Sequence, residues 1–311
     1  MSLPFPVPYL DWTFMPVAVS LPIGTPEKPI GFEVWMDRVL ERAEKLQPDW
    51  DAADVHDLRV ALRRSRTMAE ALSEVNPWSG WRKLKKTSRD LFQALGDLRD
   101  SQVERARVKK LASASDPLRN HMLRLLSQQE KRHRAAAEQA LEHFDRKEWK
   151  KLTRKLASKA CFFPLESVVF QRLALTRLNE AVALYRQARE RRSSVGWHRL
   201  RIGIKNFRYV VENFLPQRYE VWAADLKRLQ DLLGELHDLD VLRSDIRKQV
   251  SKVDPATVAQ WTEKIDRERK AHLREFLMRT AGKESPWLVW RAGFQWGHAL
   301  VAASFPQRRT A

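Results

Sequence analysis

Two stretches of the chain repeat one another, and this repeat restricts the fold more than any other feature. The run His56-x-x-Arg59-x-x-x-Arg63-x-x-Arg66 reappears 142 residues further on as His198-x-x-Arg201-x-x-x-Lys205-x-x-Arg208. The same shift carries Glu70 onto Glu212 and Leu72 onto Phe214. A second pair, LGDLRDSQV at residues 95–103 and LGELHDLDV at 233–241, follows at a shift of 138. That shift also sets Arg89 against Lys227, and Glu130-Lys131-Arg132 against Glu268-Arg269-Lys270. Order and spacing hold over more than 75 residues with a slip of four. Self-similarity of this kind is the signature of one supersecondary unit used twice, and a duplicated four-helix unit is expected.

The helical reading comes from composition and period. Between residues 31 and 281 glycine is scarce, Leu, Ala, Arg, Lys, Glu and Gln dominate, and no stretch alternates with period two, so the fold class is all-α. Helices are expected at 31–47, 52–75, 79–112 and 117–144, then at 166–192, 195–215, 217–252 and 255–281, with a last one at 286–304. The breaks are Pro48, Pro77 and Asp116-Pro117, then Ser193-Ser194, Pro216 and Pro255. The expected organisation is therefore an irregular arm over 1–30 with seven prolines, a first bundle repeat over 31–144 and a linker over 145–165 with room for a short helix. A second repeat over 166–281 and a C-terminal helix and tail over 282–311 complete it. Trp287, Trp290 and Trp296 read as core of the last helix.

Charge is where the repeat acquires a chemical meaning. Lys+Arg number 57 and Asp+Glu 39, a net +18. Residues 1–55 hold four basic and nine acidic side chains, so the chain from His56 onward carries +23. Such a surplus calls for polyanions. No apolar run is long enough to span a membrane, the N-terminus lacks a signal-peptide pattern and there is one cysteine, so a cytoplasmic protein without a membrane partner is expected.

On a helical wheel at about 100° per residue, His56, Arg59, Arg63 and Arg66 fall within about 80° on one face, with Leu58, Leu62, Ala69 and Leu72 opposite. The second copy sets His198, Arg201, Lys205, Arg208 and Tyr209 against Leu200, Ile204, Phe207, Val211 and Phe214. Ordinary surface helices mix their charges, whereas three like charges at i, i+4 and i+7 repel one another. Carrying that cost twice in matching positions points to an anion-binding face. Arg82, Lys85 and Arg89 share a side with Gly96, with Asp100 next along. Glu70, Glu212, Asp100 and Asp238 are placed to orient these cations. Gly96 and Gly234 are costly inside helices, which asks for close approach by a neighbouring helix or by ligand.

Catalytic signatures are weak. His56-Asp57 and His237-Asp238 are HD pairs, but His56 and His198 stand among cations that repel a divalent ion, so no metal and no cofactor is expected. No phosphate-cradling glycine loop or nucleophile elbow is found. Cys161, between Ala160 and Phe162, reads as a buried apolar residue.

With VHDLRVALRRSR, ALGDLRDSQV, WHRLRIGIKNFRYVVENF and LQDLLGELHDLDVL in this order, the chain resembles the CHAD family over residues 31–281. The resemblance implies two four-helix bundles related by a pseudo-two-fold axis, with basic helices lining a central cleft or pore that binds inorganic polyphosphate. It also implies association with polyphosphate granules. It places His56, Arg59, Arg63, Arg66, His198, Arg201, Lys205 and Arg208 in the family's basic motif, and Arg89 and Lys227 in its second basic row. The family pattern extends the cation-orienting role to Asp240. The chain departs from the pattern where Asp238-Leu-Asp240 faces Asp100-Ser-Gln102 in the first copy, and Thr67 stands for Tyr209. Many relatives carry a CYTH triphosphatase domain ahead of this one; its ExExK motif is absent, so no catalysis is expected. The preferred reading is non-enzymatic polyphosphate binding. Nucleic-acid binding and, behind it, a metal-dependent phosphohydrolase on His56 and His198 are the alternatives.

Overall fold

A computed structural model describes residues 31–46, 50–248 and 253–303, with 295–303 as helix backbone. The arm over 1–30, Pro48, the side chain of Trp296 and the tail after 303 lie outside what it describes. Among the described residues every regular element is a helix. They are α1 (Phe32–Lys45), α2 (Ala52–Val75), α3 (Ser79–Thr87), α4 (Arg89–Leu111), α5 (Pro117–Glu142) and α6 (Arg146–Ala160). α7 (Val168–Arg191), α8 (Ser194–Phe214), α9 (Pro216–Arg247), α10 (Pro255–Arg279) and α11 (Pro286–Ala303) follow.

The helix starts are written in short polar side chains. Asp51, Asp116, Asp145, Ser193 and Asp254 each accept a first-turn backbone N–H, and Pro117 and Pro255 take the first helical turn after two of them. The predicted apolar faces are the buried ones: Leu58, Leu62, Ala69 and Leu72 on α2, and Leu200, Ile204, Phe207, Val211 and Phe214 on α8. Trp287 and Trp290 of α11 are also buried, Trp290 lying 5.3 Å from Phe207.

Two expectations change, and the linker holds the helix for which it had room. The single helix expected over 79–112 is broken at Ser88. Arg66 donates to the Lys85 carbonyl at 2.5 Å and to Ser88 Oγ at 2.8 Å. In an unbroken helix that carbonyl would accept from Arg89; the guanidinium takes it instead and the chain re-enters helix at Arg89. In the second half Leu226 stands where Ser88 does, and α9 runs through. The linker expected over 145–165 is largely α6, packed on α1 and α3 through Trp149, Leu152 and Leu156, much as α11 packs on α7 and α9. Cys161 is exposed rather than buried, because it sits at the C-cap of α6, its thiol donating to the Ser158 carbonyl at 3.0 Å.

The halves meet at two levels. Near the middle α2 lies against α8, where Arg64 pairs with Glu212 and donates to Asn213 at 3.0 Å. Farther out, the tips of the α4–α5 and α9–α10 hairpins share a separate core of Val108, Leu111, Leu118, Met122, Leu239, Trp261 and their neighbours. Asp116 holds that contact twice, capping α5 through the Arg119 amide at 2.8 Å and accepting the Trp261 indole N–H at 2.9 Å. Asp116→Ala removes the cap and strands a half-buried indole N–H, so urea unfolding of the full chain should show a loss of about 2–3 kcal/mol. A loss under about 0.5 kcal/mol would mean the tip contact is unimportant.

Candidate anion-binding site

The two basic stripes face one another across the α2–α8 contact. On the α2 side Arg63 lies over the Tyr209 ring at 5.4 Å, and on the α8 side Lys205 Nζ approaches the same ring at 5.8 Å. Arg59 belongs to this group: it acts electrostatically on Lys205 and Tyr209, and its guanidinium lies over the Phe92 ring of α4 at 5.6 Å. Burial, then Arg201, Arg63 and Arg59, press the Lys205 ammonium down to about 8 against the opposing pull of Asp100. Tyr209 is buried, its hydroxyl pushed up by burial and without a hydrogen-bond partner among the described residues.

Farther along α8, His198 and His237 set their Nδ1 atoms 3.1 Å apart with ring centroids at 4.4 Å. One proton can bridge them, not two. Burial and Arg201 bring His237 down to about 4, and His198 is lowered by burial, Arg201 and Lys205. His56, more exposed, is lowered by burial and by Arg99 and Arg63. At neutral pH His237 is therefore a neutral hydrogen-bonding group, and the positive charge of this region resides on arginine and lysine.

The carboxylates take assigned places. Glu212 pairs with Arg64 and with Arg208 at 3.4 Å, and accepts from Tyr219 at 2.8 Å. Arg208 also donates to Gln230 and to Tyr219, both at 3.3 Å, so its charge is largely spent inside the fold. Asp238 accepts from Arg107 of α4 at 3.1 Å, beside an Arg107–Glu235 contact of 2.7 Å. Asp240 holds Arg269 of α10 at 2.7 Å, a pair whose first-copy counterparts, Gln102 and Lys131, form none. Glu70 pairs with Lys85 at 3.4 Å and Lys227 with Asp231 at 2.6 Å; Lys227, Arg82 and Arg89 are exposed, and Arg89 lies near enough to Arg66 to lower it electrostatically. Close helix approach explains neither glycine. A Cβ at Gly96 would lie 3.7 Å from the Arg59 guanidinium, and at Gly234 nothing lies within 4 Å.

Three participants escaped the pattern reading, Arg64, Arg99 and Arg107, and His237 was read only as half of an HD pair. Arg99 and His237 occupy equivalent places in the two LG-x-L motifs, so the repeat itself pointed to them. Arg64 and Arg107 act between helices distant in sequence and left no local signal. Among the described residues no three His, Cys, Asp or Glu side chains gather as a metal site.

Facing carboxyls mark the outer end of this seam. Burial and Asp245 push Glu104 up to about 7. A raised carboxyl stabilises the folded chain fully below the ordinary carboxylate range and loses that contribution as pH rises through 7. Glu104→Gln should therefore raise stability at pH 8 by about 1–2 kcal/mol after solvent screening and change it little at pH 5. Thermal unfolding at both pH values checks this; a less stable variant at pH 8 would reverse the assignment.

Comparison with known proteins agrees with the architecture. A family model described as the CHAD domain matches residues 35–247. The crystal structure of the CHAD domain from the plant Ricinus communis superposes with a TM-score of 0.54 at 18% identity, covering 89% of this chain and 96% of that one. No curated protein matches the chain.

Proposed function

The chain belongs to the CHAD family, and from that premise we propose that it binds inorganic polyphosphate along the two facing stripes, without catalysis. One observation carries the reading: Arg59, Arg63, Arg201 and Lys205 are gathered from two helices until Lys205 is pressed down to about 8. Surface charges disperse into water; these are held together and partly dried, an arrangement that a polyanion stabilises. Arginine forks pair with phosphate oxygens, and counter-ion release makes the affinity fall with salt. A helical stripe presents cations at a repeated spacing, suited to a ligand that repeats its phosphates. His56 and the His198–His237 pair serve as hydrogen-bond partners for phosphate oxygen. In the cell this reading places the protein in the cytoplasm, on or near polyphosphate granules.

Nucleic acid is the less favoured ligand because reading bases needs edge-directed amides or stacking rings. The one aromatic on the stripes, Tyr209, is only 5% exposed and lies between Arg63 and Lys205.

Titration of long-chain polyphosphate at two salt concentrations tests the proposal. Arg63→Ala/Lys205→Ala should weaken binding by about tenfold or more and make the salt dependence shallower by about 1.5 in log–log slope. Unchanged affinity and slope would remove the stripes from the mechanism. Displacement by duplex DNA at equal phosphate concentration would favour nucleic acid.

A further inference from the structure

A cavity of about 650 Å³ opens beside the start of α8, away from the Arg63–Lys205 cluster. All of its lining residues are polar or charged, and five are cations: Arg192, Arg243, Arg247, Lys248 and Arg269. Three of these have a carboxylate partner: Arg269 with Asp240 at 2.7 Å, Arg243 with Asp266 at 3.1 Å and Lys248 with Asp245 at 2.5 Å. Arg192 and Arg247 are exposed and carry no ion pair among the described residues. An arginine held by one carboxylate keeps further N–H groups for a second acceptor.

Two backbone features favour an anion at the same place. Ser194, on the cavity wall, is the first residue of α8, where the Ser193 cap takes the Gly196 amide and the helix presents the positive end of its dipole. Arg192 closes α7 at φ 49°, a left-handed conformation that glycine or asparagine usually takes. A charged side chain is thus retained on the rim at a backbone cost. Asp240 lies one turn beyond His237 along α9, and Ser194 one turn before His198 along α8, so the cavity adjoins the histidine end of the second stripe.

We propose that this cavity is a second binding site, for a compact oligophosphate of about three phosphates. The lining offers charge and hydrogen-bond donors rather than an apolar side-chain wall, which suits a small polyanion. The ligand is either free oligophosphate or the end of a longer chain. The proposal does not rest on the reading of the stripes.

The test is calorimetric titration of the full chain with tripolyphosphate and, separately, with long-chain polyphosphate. Three proteins are compared: wild type, Arg192→Gly/Arg247→Ala and Arg63→Ala/Lys205→Ala. Glycine at 192 fits the left-handed backbone, so the cavity variant keeps its fold, which circular dichroism confirms. Tripolyphosphate should bind wild type and stripe variant alike and bind the cavity variant at least tenfold more weakly. If the cavity variant also loses long-chain affinity, the site takes chain ends; if it does not, the site takes free oligophosphate, and both support it. Unaltered tripolyphosphate binding in the cavity variant, or loss only in the stripe variant, overturns the proposal.

Discussion

The contact of α2 with α8 brings together two helices that each carry a row of cations, and their repulsion has to be opposed from within the fold. Arg64 does this by turning to Glu212 and Asn213, a pairing in which the carboxylate is only 8% exposed. Removing one partner of such a buried pair costs about 3–5 kcal/mol because the other is left uncompensated. Glu212 also neutralises Arg208 and engages Tyr219, so one carboxylate governs three neighbours. With those charges satisfied, Arg59, Arg63, Arg201 and Lys205 remain as a positive group at the same contact.

The hairpin tips supply the second clamp. Leu111, Trp261 and their neighbours form a small core of their own, and Arg107 ties α4 to α9 inside it. The stripes run from the α2–α8 contact toward that clamp, through the histidine pair. The groups along the way are held from both ends, which suits binding of a charged chain by a preformed site rather than by a rearranging one.

Much of this was legible because helices record burial with a period of 3.6. The apolar faces of α2 and α8, the breaks at Asp116-Pro117 and Ser193-Ser194 and the core tryptophans Trp287 and Trp290 were legible in the pattern. The break at Ser88 was not legible, since it comes from Arg66, 22 residues away, taking the Lys85 carbonyl. Exposure of Cys161 was missed for a related reason: a helix C-cap places a residue outside the pattern of the helix it ends. In the site, periodicity identified cations sharing a face but could not separate spent ones from available ones. Arg66 and Arg208 are engaged inside the fold, while Arg63 and Lys205 lie close together across the two helices.

The central claim is that the facing stripes hold more positive charge than the fold itself balances. Lys205 reports it, being lowered by burial, Arg201, Arg63 and Arg59 against Asp100. A polyanion bound there restores its proton affinity, so binding must draw in protons near pH 8 and weaken as pH rises above it. Calorimetric titration with long-chain polyphosphate at pH 8, in buffers of different ionisation enthalpy, measures that uptake. Relative to Lys205→Met, the wild-type chain should take up about half a proton more per site. Equal uptake by the two proteins would contradict the account.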